Sequence, residues 1–376
     1  MSTPHKGVSG LLVKLAALSL PILALVGFYL AKDPFRVTRR YDSYYERGNP
    51  GGVVLNREYV SMEVFLRRYP ERQWDSFVFG NSRSLFYQAG DWAPLIHSPR
   101  IFHFDASAES IYGITRKLEF LERRRIPVRH ALIVLDADTL RVVGNSRGHI
   151  FVKHPLLTGQ SRVSYQLEFF KAFCSPAFLL AYVPFQFSHK VTDHEVLDDR
   201  PFDYDPRYNE TRFDEYERLM ETNVAAYYAP RSGFFYPRPP AEVVSPPVIG
   251  EPCKQLLGRI SRVLARQRTD FRLAISPLYD QKRLNPSDLA CLREAFGPDK
   301  VFDFSGINNL TSCRTNYYES SHYRPHVARR ILAEMYAAKG PVIPTPVAGI
   351  VSAPPGARSP TSAGATSAPT DRGNDP

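Results

Sequence analysis

The chain has 376 residues, 43% of them apolar and 12% aromatic, enough to fill the core of one large domain or two small ones. Its formal charge of +10, from 48 Lys and Arg against 38 Asp and Glu, suits an anionic polymer or lipid headgroups as well as an ordinary basic surface. No recognised module accompanies that charge, which argues against nucleic acid as a partner. The four cysteines, Cys174, Cys253, Cys291 and Cys313, lack metal-type spacing and leave two readings, up to two disulfides or buried free thiols.

In chain order, residues 1–10 form a short N-terminal segment. Residues 15–31 hold no charge, and with Leu11, Leu12 and Val13 across Lys14 they make about 20 residues, enough to cross a bilayer. The end of that run lacks a good small-residue cleavage site, so residues 11–31 read as an uncleaved signal anchor, a single transmembrane helix. Lys32, Arg36, Arg39 and Arg40 follow it, and by the positive-inside tendency alone they would keep the large domain in the cytoplasm. Residues 32–70 read as a membrane-proximal stalk and an early helix. A short apolar strand spans 76–79 and a second spans 101–104. Ile111, Ile114, Leu118 and Leu121 share one face of a helix over 109–124. Residues 130–135, His-Ala-Leu-Ile-Val-Leu, read as a strand of the buried parallel kind.

The alternation then breaks. Residues 144–247 are rich in Phe and Tyr and read as an insertion of helices and loops beside the site. Helices over 256–266 and 286–296 precede strands over 271–276 and 301–304, and a helix over 325–338 closes an α/β domain of residues 71–340. From residue 341 to 376 Pro, Ala, Ser, Thr and Gly dominate, the composition of a disordered tail. Strands alternating with helices at this spacing call for a parallel sheet covered on both faces. Ligands bind such sheets at the carboxyl ends of the strands.

The chemistry concentrates at two distant places. Strand 76–79 runs straight into Gly80-Asn81-Ser82-Arg83-Ser84. Glycine there permits a sharp turn, so Ser82 can stand at a strand's carboxyl end before a helix beginning near Leu85. Serine needs a nearby base to act as a nucleophile, and Glu319-Ser320-Ser321-His322 supplies one just before the last helix. The competing reading makes Ser82 a helix N-cap. His149 and His154 match no metal site.

Gly80-Asn81-Ser82-Arg83-Ser84 resembles the Gly-Asp-Ser-x-Ser block of the GDSL/SGNH hydrolase superfamily, and Glu319-Ser320-Ser321-His322 resembles its C-terminal Asp-x-x-His block with Glu in the Asp place. The resemblance implies a three-layer, flavodoxin-like α/β fold and a triad of Ser82, His322 and Glu319, with no cofactor and no metal. The layout is similar to membrane-anchored members that modify cell-envelope polymers, in teichoic-acid D-alanylation and alginate O-acetylation. That likeness implies an extracytoplasmic, periplasmic-side domain, a cell-envelope polysaccharide as substrate and a multi-span membrane O-acyltransferase as partner.

Two departures stand out. The second block's glycine is absent from Asp105-Ala106-Ser107-Ala108-Glu109-Ser110, and the third block's asparagine is replaced in Asp136-Ala137-Asp138. Asn81, Arg83, Glu109 and Asp138 are therefore the candidates for oxyanion or substrate contacts. The alternative is a catalytically weak scaffold that keeps the fold and binds a polymer or an acyltransferase.

Overall fold

The computed structural model describes residues 5–45, 52–194 and 196–337, although nothing is said of the side chains of residues 5–9 and 11–13. Helix α1, His5–Lys32, is followed by α2, Arg57–Arg72. Five strands then alternate with helices: β1 Ser76–Phe79, α3 Ala89–Ile96, β2 Ile101–His103, α4 Ile111–Arg123 and β3 His130–Leu135. After the insertion with α5, Arg162–Phe173, and α6, Pro176–Ser188, come α7 Glu251–Arg266, β4 Asp270–Ile275, α8 Pro286–Phe296 and β5 Val301–Asp303. A hairpin of β6, Tyr317–Glu319, and β7, His322–Tyr323, leads into α9, Pro325–Tyr336. The 341–376 tail lies outside the described residues.

Strands β1 to β5 form one wholly parallel sheet in the order β2-β1-β3-β4-β5. This is the order of flavodoxin-like doubly wound sheets, in which the chain changes direction between β1 and β3 and leaves a crevice at their carboxyl ends. Alternate side chains serve opposite faces. Phe77, Phe79, Ile133, Leu135, Leu273 and Ile275 pack with α2, α4, α7 and α8, whereas Val78, Leu132, Val134 and Ala274 pack with α3 and α9. The result is three layers with two cores. Each fully buried Phe or Leu contributes about 1.5–3 kcal/mol, so a polar substitution at the centre of the apolar run of β3 forfeits at least that much.

The segment after α1 does not stand free as a stalk. Phe35, Val37 and Tyr44 are buried, with the Phe35 ring 4.8 Å from that of Phe178 on α6. The aromatic residues of the insertion are divided between core and cavity wall. Tyr165, Phe169 and Phe173 fill the first core, and Tyr227 joins the second. All four cysteines are free thiols.

Candidate active site

The turn after β1 is built around Gly80, whose φ is +155°. A Cβ there would lie 2.9 Å from both the Val134 carbonyl oxygen and the Ser84 Cβ, so no larger residue fits. Ser82 begins a 3-10 turn, Ser82–Phe86, rather than the α-helix expected from the sequence. Asn81 caps that turn: its side-chain oxygen accepts from the Arg83 amide, and Ser84 Oγ donates to the Asn81 carbonyl at 2.7 Å. The cap is thus Asn81, and the Ser82 hydroxyl is left for other work.

Across the crevice, Glu319 and His322 are paired residues of the β6–β7 hairpin. Tyrosines hold this hairpin against the sheet. Tyr317 Oη donates to the Pro277 carbonyl at 2.9 Å, and Tyr323 Oη donates to Tyr87 Oη at 3.3 Å. The Phe86 ring meets the imidazole of His322 edge-on at 5.8 Å.

Ser82 Oγ lies 2.7 Å from His322 Nε2, within proton-transfer reach. The other ring nitrogen, Nδ1, is hydrogen-bonded to Glu319 Oε1, and Glu319 Oε2 accepts from the Ser321 amide at 2.6 Å. Burial pushes the Glu319 carboxyl up, but His322, the Ser321 amide and Arg83 together hold the group below its ordinary range. An ionised Glu319 fixes the tautomer with hydrogen on Nδ1, which leaves the Nε2 lone pair facing the serine. Ser82, His322 and Glu319 border a cavity of about 1110 Å³. Phe86, Phe202, Phe213, Tyr216 and Phe234 form its aromatic wall, and Lys32, Asp33 and Pro34 line another part of it.

The remaining sequence candidates lie elsewhere. Asn81 Nδ2 donates to Asp136 Oδ2 at 2.7 Å, and Arg83 bridges from Asp136 Oδ2, 2.6 Å from Nη1, to the Ser321 carbonyl, 3.0 Å from Nε. Both side chains clamp the serine turn to β3 and to the hairpin, and neither residue lines the cavity. Burial raises the Asp136 carboxyl, but Arg83, Thr139 and Asn81 together bring it below the usual value. Asp138 is exposed and paired with Arg141 at 2.9 Å, so it makes no contact at the serine.

Glu109 requires the clearest correction. It is buried between two ammonium groups, hydrogen-bonded to Lys117 Nζ and 2.6 Å from Lys153 Nζ, with Glu58 3.1 Å and 3.3 Å from the same two lysines. Burial pushes the Glu109 carboxyl up, and the two lysines more than reverse it. Gly113 leaves the space this cluster fills, since a Cβ there would fall 2.0 Å from Glu109 Oε1. Of that loop, Asp105 and Ser107 line the cavity with Ser82; Asp105 is tied up by Arg57, which leaves Ser107, a residue not among the sequence candidates. Its signal was position alone, three residues beyond the expected end of a strand.

Among the described residues, no group of three or more His, Cys, Asp or Glu side chains could hold a metal ion. The chain matches no protein-family model, no curated protein and no solved structure.

Proposed function

We propose that the protein is a membrane-anchored, SGNH-like serine acyl esterase or O-acyltransferase. The observation that carries this reading is the chain of contacts from Glu319 through His322 to Ser82 at the edge of an aromatic-walled cavity. His322 Nε2 takes the hydroxyl proton as Ser82 Oγ forms a bond to the ester carbonyl carbon. Glu319 stabilises the imidazolium. The tetrahedral intermediate collapses, the alkoxy C–O bond breaks, and His322 returns the proton to the departing alcohol. An incoming hydroxyl then surrenders its proton to His322 and attacks the acyl-Ser82 carbonyl, which releases the serine. Water as acceptor completes hydrolysis, and a sugar hydroxyl completes transfer. We assign the oxyanion to backbone amides at Ser82 and Ser107, because both residues line the cavity.

The substrate reading is a cell-envelope polysaccharide, with a multi-span membrane O-acyltransferase as the supplier of acyl groups and the domain outside the cytoplasm. Topology reporters fused after residue 40 test the side; a cytoplasmic signal removes this substrate class. A second reading, a weakly catalytic scaffold, draws on one observation. The stretch Asp136-Ala137-Asp138 carries carboxylates where the resemblance implies an amide donor, and the Asp136 carboxylate accepts from Asn81 rather than donating.

Hydrolysis of p-nitrophenyl acetate by the purified full chain separates the two readings. For the enzyme, Ser82→Ala and His322→Ala each lower kcat/KM by roughly 10³-fold or more, and the double variant falls little further, because the residues act as a unit. Parental rates in either variant leave the scaffold reading standing.

A further inference from the structure

Helix α6 is apolar on both sides. Its 13 residues, Pro-Ala-Phe-Leu-Leu-Ala-Tyr-Val-Pro-Phe-Gln-Phe-Ser, include no Asp, Glu, Lys or Arg. Phe178, Ala181, Tyr182 and Phe185 face inward and are buried, yet Leu180 and Phe187 on the outer side are 75% and 84% exposed. Helix α5, bent 73° from α6, adds Val163, exposed to 72%, and Leu167. A helix apolar all round belongs in a protein core or in lipid, and this one is only half covered by protein.

Its position says what covers the rest. The hairpin packs on the end of α1, with Phe28 rings 5.9 Å from Phe173 and 6.3 Å from Tyr182, and Tyr29 5.4 Å from Phe170. That is where the apolar stretch Lys14–Lys32 ends. Leu15, Leu18 and Leu23 of α1 are themselves exposed. Lys32, Lys171 and Lys190 are exposed cations around the hairpin, placed for anionic headgroups.

We propose that α6 and the adjoining face of α5 lie in the lipid–water interface beside α1, as a second, non-spanning membrane contact. This rests on α1 being a membrane anchor. The helix that meets the lipid also lines the cavity: Tyr182, Phe185 and Gln186 border the same space as Lys32, Asp33 and Ser82. The cavity therefore has one wall at the bilayer surface, and acyl groups borne by lipid can reach it without crossing bulk water.

Tryptophan quenching by brominated lipid tests this on the full chain in phosphatidylglycerol–phosphatidylcholine vesicles. Trp74 and Trp92 are buried in the α/β body and give a constant background. Single variants Leu18→Trp, Leu180→Trp, Phe187→Trp and, as an α3 control, Leu95→Trp are compared. The proposal expects quenching of the signal at 18, 180 and 187 by at least about twofold over that at 95. Quenching at 18, with 180 and 187 matching the control, overturns it, keeps the anchor and leaves the α6 face to a protein partner. Control-like signals at all sites overturn both. Quenching at 180 and 187 without 18 also overturns it, because the hairpin then meets lipid with no anchor beside it.

Discussion

At the residue scale, the proposed mechanism needs Glu319 to hold the proton on Nδ1 of His322, so that Nε2 can serve as a base for Ser82. Glu319→Gln keeps the shape and removes the charge that favours this tautomer. Its kcat is expected to fall by roughly 10²–10⁴-fold with little change in KM, as measured by steady-state ester hydrolysis. Arg83 works at one remove, since it ties Asp136 to the backbone of the hairpin that carries His322. Arg83→Ala leaves Asp136 as a buried carboxylate without its cation, at a cost of about 3–5 kcal/mol in chemical denaturation. Arg83→Lys restores part of the stability but not kcat, because an ammonium lacks the fork that reaches both partners.

At the element scale, the glycines mark where backbone and side chains meet most closely. Gly113→Ala drives a methyl group into Glu109 and is expected to destabilise the fold by about 3–5 kcal/mol, read from the denaturation midpoint, by breaking a buried ion cluster. Much of the layout was legible in the sequence because its elements carry local signals. The limits of β1 and β3 follow from unbroken apolar runs, and α8 is bounded by an Asn-Pro start and a Gly stop. The oxyanion candidates failed as sequence reading because their partners are remote. Nothing near Glu109 in sequence reveals Glu58 or Lys153, and nothing near Asn81 reveals Asp136. The contact of Ser82 with His322 spans 240 residues, and only the order of the two motifs hinted at it. The packing of the membrane-proximal segment was not legible because Phe35, Val37 and Tyr44 look like isolated apolar residues, and partners such as Phe178 and Tyr59 are remote in sequence.

At the scale of the whole molecule, two buried groups give stability a divided response to pH. Burial pushes the Glu210 carboxyl up to about 7 and the His103 imidazole down to about 4, and Nε2 of His103 lies 3.6 Å from Glu210 Oε2. Glu210 starts from 4.5 in the open chain, so its contribution is full below that pH and is lost as pH rises through about 7. His103 starts from 6.5, so its contribution is full above that pH and is lost as pH falls through about 4. The two oppose each other across the same window. Glu210→Gln leaves His103 alone and is expected to make stability fall by about 3 kcal/mol more than in the parent between pH 7 and pH 4, followed by urea denaturation.

Lys32 at the end of the apolar α1 lines the same cavity as Ser82, and the proposed acyl chemistry there requires that the serine be a nucleophile. A fluorophosphonate probe applied to the folded full-length chain, with the adduct located by peptide mass spectrometry, examines this most directly. The account predicts a single adduct on Ser82, absent from Ser82→Ala and formed far more slowly in His322→Ala. Labelling that persists in Ser82→Ala, or no adduct on the folded parent, would contradict it.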